Sequence, residues 1–500
     1  MGQSGRGVPA QARKPNRQPC QARNGFRPRG NPPATRKPPL TRRRKPASSR
    51  PMRFLPAASV LLPLALAASV FAQERPLALT GARIYPIAGE PIADGVLVVQ
   101  GGKIVAVGAV GAVTVPAGAE VRALPPGKVI LPGLVDSHSH IGGAQGGDGS
   151  GALHPEVRVL DALDARHASI QRAQAGGITT ANVMPGSGQL ISGQTLYLKL
   201  RDGRIIDDLL IRLADGSPAG GLKMANGTNP MRAAAGPFPG TRAKAAAMVR
   251  DQFIKAQEYQ AKIARAKGDP EKLPARDLGL EMISEALAGR RIVQFHSHRH
   301  DDILTALRLR QEFGFKMVLH HVSEAWKVAP EIAAAGVPAS AIVLDSPGGK
   351  LETRDMSFDS PAALEKAGAE VGLHSDDPVI DSRHFLRSAA IAVRAGMSRP
   401  AALRAVTLAN AKMLGLDDRV GTLAAGKDAD FIVLSGDPFS VYTQIEETWV
   451  EGRRVFNLSD PADRTYALGG PGAGDPRRTP LCCYTSAWDI ILAANGALQQ

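Results

Sequence analysis

Cysteine is scarce in this chain, with three in 500 residues, at Cys20, Cys482 and Cys483. Three such residues cannot staple a disulfide scaffold or build a cysteine-rich zinc site. Acidic residues are missing altogether from residues 1–51, which hold 14 Lys and Arg. Removing those 14 from the formal net charge of +15 leaves about +1 for residues 52–500, so the basicity belongs to one tail. That tail has one aromatic residue, Phe26, so it lacks the series of stacking platforms of a single-strand nucleic-acid binder. It is also poor in large apolar residues and rich in Pro, Gly, Gln and Arg, a composition that cannot offset the entropy of ordering; disorder is expected. Charged residues at 21% and hydrophobic residues at 44% exclude global disorder, collagen and a many-span membrane protein. The length predicts two to four domains and ample core.

A start signal follows the tail. Met52-Arg53 precedes a 19-residue uncharged run, 54–72, containing Pro56 and Pro63 and ending Val70-Phe71-Ala72 before Gln73-Glu74. Small residues at the last and third-last positions suit signal peptidase. About 20 apolar residues could also span a bilayer, but the two prolines and the cleavage-like end favour a removed signal. Residues 52–72 are therefore expected to be a signal peptide, with Met52 as the working initiator and 1–51 a mis-assigned start. The mature protein is expected to be exported, periplasmic or secreted, without stable membrane anchoring.

Residues 73–130 read as short β-strands with a hairpin at Gly101-Gly102, and 416–457 as further strands with a hairpin at Glu451-Gly452. Between them, strand candidates at 129–135, 179–184, 194–198, 221–224, 292–298, 316–321, 341–344 and 371–374 alternate with helical patterns. Those patterns include 242–267, 275–288, 301–313 and 361–367. Eight strands with intervening helices over about 285 residues match a (β/α)8 TIM barrel, 131–415; alternation alone also allows an open doubly wound sheet. Residues 458–500 form a C-terminal extension of no assigned role.

Histidines gather at strand ends. His138 and His140, in Pro132-Gly133-Leu134-Val135-Asp136-Ser137-His138-Ser139-His140, share a face of the first middle strand and could hold one metal ion. His296, His298 and His300 end another strand, His320-His321 the next, and His374-Ser375-Asp376-Asp377 the last. In a parallel barrel, strand C-termini converge on the active-site face. A scatter of core histidines would not fall this way.

Leu131-Pro132-Gly133-Leu134-Val135-Asp136-Ser137-His138-Ser139-His140 and the closing run Thr407-Leu408-Ala409-Asn410-Ala411-Lys412-Met413-Leu414-Gly415, continued by Gly421-Thr422-Leu423 and Gly426-Lys427-Asp428-Ala429-Asp430-Phe431, resemble the amidohydrolase superfamily, in its imidazolonepropionase-like, prolidase-like branch. The resemblance spans about residues 77–457. It implies a metal-dependent barrel with a small β-sandwich domain built from both ends of the mature chain. It implies that His138 and His140 bind the more buried metal, that Asp376 is ligand and general base, and that His296 and His321 complete the site. Lys223 sits where binuclear relatives carry a carboxylated bridging lysine; Lys199, on the third strand, is the weaker candidate.

His296 and His298 have the same parity, so either could be the ligand of that strand, and the motif favours His296. His320 and His321 have opposite parity, so one alone is expected to point inward, and the family pattern selects His321. His298, His374 and Arg232 are candidate substrate contacts; a solvated arginine is the competing reading for Arg232. Asp377 is expected to hold its loop.

One or two divalent metal ions are implied, zinc by preference. A divalent cation lowers the pKa of its water to about 7 and polarises a carbonyl, and Asp376 would move the proton. The expected activity is hydrolysis of a non-canonical amide or peptide-like C–N bond, other than an ordinary peptide bond, in a small-molecule substrate. Candidates are N-acyl amino acids, Xaa-Pro-like dipeptides and cyclic amides. Alternatives are a deaminase or lactonase/phosphotriesterase on the same barrel, or an inactive barrel acting as a binding module. No nucleic-acid partner is expected, and a homo-oligomer is compatible with the sequence.

Overall fold

The computed structural model describes residues 75–144, 147–232, 236–345, 350–470 and 473. The basic tail, the expected signal peptide, Gln145 and Gly146, and Cys482-Cys483 lie outside the described residues.

The protein is a mixed α/β fold. Strands β1 (Leu77–Ile84), β2 (Ile92–Gln100), β3 (Lys103–Ala109), β4 (Glu120–Ala123) and β5 (Val129–Pro132) come first. β6 (Leu134–Ser139), β7 (Ile178–Val183), β8 (Ile191–Gln194), β9 (Leu196–Lys199), β10 (Leu222–Ala225), β11 (Val293–Ser297), β12 (Met317–His321), β13 (Ala339–Ala341) and β14 (Val371–Leu373) form the middle. β15 (Phe431–Leu434), β16 (Ile445–Val450) and β17 (Arg453–Asn457) come last.

Chain ends meet in one eight-stranded sheet, ordered β17-β16-β15-β5-β1-β2-β3 with β4 beside β1. Its core is apolar and includes Leu79, Ile84, Leu97, Ile130, Phe431 and Val433. Phe431 stacks on Trp449 with ring centroids 5.2 Å apart. β10 to β14 pair in parallel in chain order. β6 and β7 also pair in parallel. Their strands are buried on both faces, as parallel strands covered by helices must be.

Helices lie where the 3.6-residue pattern predicts them, at Arg242–Ala266, Leu278–Leu287, His300–Phe313 and Ser360–Lys366. Side-chain caps set two starts: Thr241 accepts from the Lys244 N–H and Asp277 from the Leu280 N–H. Gly314, at φ +74°, ends the third in the left-handed conformation that glycine adopts without strain. Among the described residues, no helix is long and apolar enough to cross a membrane.

Two strand expectations are corrected. The run 129–135 is not one strand: β5 joins the terminal sheet and β6 the middle one, with the break at Gly133. A Cβ at Gly133 would sit 2.3 Å from the Thr179 side chain, so only glycine lets the backbone pass that close. The segment expected as a single parallel strand at 194–198 is instead the pair β8 and β9, antiparallel to β10 and to β7 respectively. Thr195 separates the two; Gly193 (φ +125°) lies within β8 at its register shift against β10, and its Cβ would lie 2.4 Å from the Val157 carbonyl oxygen.

Lys199 ends β9 with no solvent exposure, and its Nζ donates to Asp428 Oδ2 (2.8 Å) and Asp430 Oδ2 (2.7 Å). It ties β9 to the segment leading into β15 and has no part in the histidine cluster, consistent with Lys223 as the better site candidate.

Candidate metal centre

Two backbone contacts bring the ends of β6 and β14 together. The Asp376 N–H donates to the His138 carbonyl (2.9 Å), and the Ser375 N–H donates to Asp136 Oδ1 (3.1 Å). Asp136 also accepts from the His138 N–H (3.2 Å) and from the Ser375 hydroxyl. Burial pushes its carboxyl up to about 7 against these hydrogen bonds. Asp136 thus holds the two loops that carry His138 and Asp376.

Asp376 is the meeting point. Its Oδ1 lies 3.0 Å from His140 Nε2 and 3.3 Å from His138 Nε2, and its Oδ2 lies 3.7 Å from His321 Nδ1. Burial raises its pKa, but His140, His374 and Lys223 outweigh burial and leave the carboxyl below its ordinary range. His140 Nδ1 is 2.7 Å from the Met184 carbonyl, an acceptor, so Nδ1 carries the proton. Its Nε2 faces a carboxylate oxygen at 3.0 Å, a contact that a shared cation or a proton on Nε2 satisfies.

The remaining histidines are buried, and burial holds His138, His296, His320 and His321 well below the ordinary imidazole range. It lowers His298 and His374 to about 3. Neutral imidazoles are the form that ligates metal. His138, His321 and Asp376 offer ligand atoms within 4.8 Å of one another, and so do His138, His320 and His374. His138 Nδ1, His320 Nδ1 and His321 Nε2 are buried with no hydrogen-bond partner among the described residues. The nitrogens that face the carboxylate are the others, His138 Nε2, His140 Nε2 and His321 Nδ1, and three imidazole nitrogens gathered on one carboxylate are a donor set that fits a divalent cation.

Lys223 has no exposure, and its Nζ sits 3.2 Å from His138 Nε2 and 3.1 Å from Met184 Sδ. Burial lowers its pKa to about 7, opposed by the Asp376 charge.

The parity expectation for β12 is corrected. His321 (φ +70°), like Val322 (φ +42°), leaves the extended conformation, so strand alternation stops at His320. Both rings therefore enter the cluster: His320 lies 4.8 Å from His138 between centroids, and His321 lies 4.7 Å from it. Asp376 (φ +51°) is left-handed as well. Three such residues bear on one site, where backbone strain concentrates.

The three residues expected at the substrate separate. His374 is fully buried; its Nδ1 is 2.8 Å from Ser340 Oγ and its Nε2 3.1 Å from His321 Nδ1, so it sits among the ring cluster rather than at its mouth. His298 is 7% exposed with Nδ1 2.8 Å from Ser323 Oγ. Arg232 is exposed, covers the Phe238 ring at 3.9 Å and donates to the Gly188 carbonyl. Asp377 anchors its loop by accepting from the Ser382 N–H (2.9 Å) and hydroxyl (2.7 Å).

Sequence reasoning missed Asp136, His320 and Glu352. Asp136 stood inside the quoted motif, where a carboxylate two residues before a ligand could have been read as its support. Glu352 stands in a short turn, Leu351–Thr353, with no surrounding pattern to mark it.

Comparison with known proteins agrees with this geometry. Residues 299–456 match the model of an amidohydrolase family (Amidohydro_3). The chain is similar to amidohydrolase tasK of Hapsidospora irregularis, 30% identical over 68% of this chain, and it spans 38% of that relative's length. It is 25% identical to an imidazolonepropionase of Paracidovorax citrulli (strain AAC00-1), over 67% of this chain and 83% of that one. The crystal structure of an amidohydrolase from Thermotoga maritima MSB8 superposes with a TM-score of 0.71 at 34% identity, covering 76% of this chain and 100% of that one. The histidine-ended strands and these likenesses agree: the chain belongs to the amidohydrolase superfamily, whose members are hydrolases that usually bind divalent metals.

Proposed function

We propose that this chain is an exported, metal-dependent amidohydrolase that cleaves a non-canonical amide or peptide-like C–N bond in a small molecule. One observation carries the reading: His138, His140 and His321 converge on the Asp376 carboxylate at distances of 3.0 to 3.7 Å. These four side chains would hold a divalent cation, taken as zinc, with Lys223 beside it and His296 bordering it. A cation there supplies Lewis-acid polarisation of the scissile carbonyl and a nucleophile at neutral pH.

Asp376 takes the proton of the attacking water on its carboxylate and returns it to the departing nitrogen. The depressed pKa of this group keeps it ionised and ready to accept. Lys223, lowered to about 7 by burial, supplies the free amine that carboxylation requires, and its carbamate would face His138. His298 and Arg232 are proposed to meet the substrate from the outer side.

β6, β7, the segment 191–199 and β10 to β14 are proposed to close a (β/α)8 barrel over 131–415. Residues 73–130 and 416–457 are proposed to build a composite β-sandwich. The likeness to the Thermotoga protein supports both. Removal of 52–72 and export of the remainder stay part of the proposal, as do a small-molecule partner and the lack of a nucleic-acid one. The likeness to an imidazolonepropionase supports including imidazolonepropionate among the substrates tried.

The test is metal analysis of the protein beside a hydrolysis panel of N-acyl amino acids, Xaa-Pro dipeptides, cyclic amides and lactones. Bound metal and turnover of a C–N substrate are expected, with turnover falling ~10²- to 10⁴-fold in Asp376→Asn. Absence of both metal and turnover would overturn the reading.

A further inference from the structure

The turn Leu351–Thr353, which follows β13, borders the histidine cluster and is used by no step above. Glu352 within it brings a carboxylate oxygen within 4.8 Å of ring nitrogens of His296 and His298. This turn is fastened on both sides. Glu352 is buried; its Oε2 accepts from the Thr228 N–H at 2.8 Å, just past the end of β10, and lies 3.8 Å from Arg242 Nη2. On the other side Asp355 accepts from Lys327 Nζ (2.8 Å), and its carbonyl accepts from Trp326 Nε1 (3.1 Å). The turn closes on the Lys350 carbonyl, which accepts from the Thr353 N–H (3.1 Å) and hydroxyl (2.9 Å).

Lys350 therefore leaves a fixed backbone at the edge of the centre. Its side chain reaches solvent and makes no hydrogen bond or ion pair among the described residues. The protein packed around it still withdraws enough water to lower its pKa, opposed by the charges of Glu352 and Asp376. After burial and their own neighbours, Lys350 is also among the charges that hold down His296, His298 and Lys223. The ammonium thus stands within electrostatic reach of Asp376, His296 and His298 with no anion of its own. Glu352 is engaged by Thr228 and Arg242, and Asp376 by the histidines. Arg232, the other cation considered for the substrate, lies over Phe238 and donates to the Gly188 carbonyl. A partly desolvated cation is costly unless an anion meets it.

We propose that Lys350 is a specificity-determining residue that receives a carboxylate of the substrate, so that the preferred substrates are amides bearing a free carboxylate beside the scissile bond. This rests on the reading of the centre as an amidohydrolase and deepens it. A lysine ammonium is a compact point charge with rotatable donors, suited to one carboxylate oxygen at varied angles. Among the candidates above, N-acyl amino acids and Xaa-Pro dipeptides carry that carboxylate, and uncharged cyclic amides and lactones do not.

The test uses the full protein loaded with zinc. N-acetyl amino acids and Xaa-Pro dipeptides are assayed beside the same compounds with the carboxylate converted to a carboxamide. Binding of each pair is also measured by calorimetry. Wild type should favour the carboxylate form about 10- to 100-fold, the range expected of one charge-assisted hydrogen bond. Lys350→Met should lose that preference through KM, with kcat and the carboxamide values little changed. Lys350→Glu should invert it. Bound metal should stay at the wild-type level in both variants. Equal losses on both forms of a substrate would give Lys350 a structural role and overturn the proposal. A wild type without preference in the calorimetric titrations would do so too. Lack of turnover for every compound would instead count against the reaction, while the calorimetric comparison still decides the role of Lys350.

Discussion

Lys199 Nζ lies 2.7 Å from Asp430 Oδ2 in a region sealed from solvent, and the same nitrogen reaches Asp428 Oδ2 at 2.8 Å. One ammonium therefore compensates two buried carboxylates from the segment before β15, joined at its edge by Lys103 and Arg419. Removing it would strand Asp430, while Asp428 keeps Lys103 and Arg419. Lys199→Met should destabilise the protein by about 3–5 kcal/mol, the usual cost of breaking a buried ion pair from one side. Chemical denaturation checks this. Metal content of the folded fraction should stay at the wild-type level, whereas Lys223→Met should change it.

The same network carries a pH dependence. Burial raises the Asp428 pKa, but Lys199, Lys103 and Arg419 prevail and lower it from 3.8 to about 2. A depressed folded-state pKa contributes stability above the unfolded value that is lost as pH falls toward the folded one. Asp430 on the same lysine is shifted upward by its burial and works in the opposite sense. The difference in urea midpoint between wild type and Asp428→Asn should be constant from pH 6 to about pH 4 and narrow below it, where wild-type Asp428 begins to protonate. A difference that widens on acidification would contradict this sign.

Asp136 supports the centre without touching the cation position. It accepts from the His138 and Ser375 N–H groups, so it sets both the β6 and the β14 ends. Asp136→Ala should weaken zinc affinity by roughly 10- to 100-fold, the usual effect of losing a ligand's orienting partner. Competition against a chromogenic chelator measures it, with circular dichroism confirming that the chain remains folded.

Gly133 is a packing requirement. Its missing Cβ leaves room for Thr179, whose side-chain atoms would come within 2.3 Å. Gly133→Ala should cost about 1–3 kcal/mol, as overpacking does. Thr179→Ala in the same chain should recover part of the loss in thermal denaturation, because the two positions touch; strictly additive losses would contradict the contact.

Much of the architecture was legible along the chain. The runs ending in His296, His321 and His374 are short, apolar and flanked by helical periodicity, and each forms a strand where expected. The helical patterns at 242–267 and 301–313 likewise coincide with helices to within a residue, because their periodicity is local. What was not legible depended on distant neighbours. The break between β5 and β6 needs Thr179, 46 positions after Gly133, to be in contact. The antiparallel pair β8 and β9 needs partners on either side that alternation of strand and helix does not specify. Glu352 joins His296 and His298 across a turn that no periodicity marks.

The amino-acid sequence by itself determined that the charge sits in one tail and that histidines end the middle strands. It also determined the family, because motif spacing and residue type are local properties. Only the tertiary structure decided which side chains meet. The left-handed backbone at His321 and Asp376 overrides strand alternation and turns both His320 and His321 into the cluster. Burial then shifts protonation, lowering the pKa of the imidazoles and of Lys223, because solvation by water is lost only once the chain is packed. Lys199 and Lys223 differ little as letters in the chain. Packing gives one to Asp428 and Asp430 and the other to His138, and that separates a structural cation from a candidate for the chemistry.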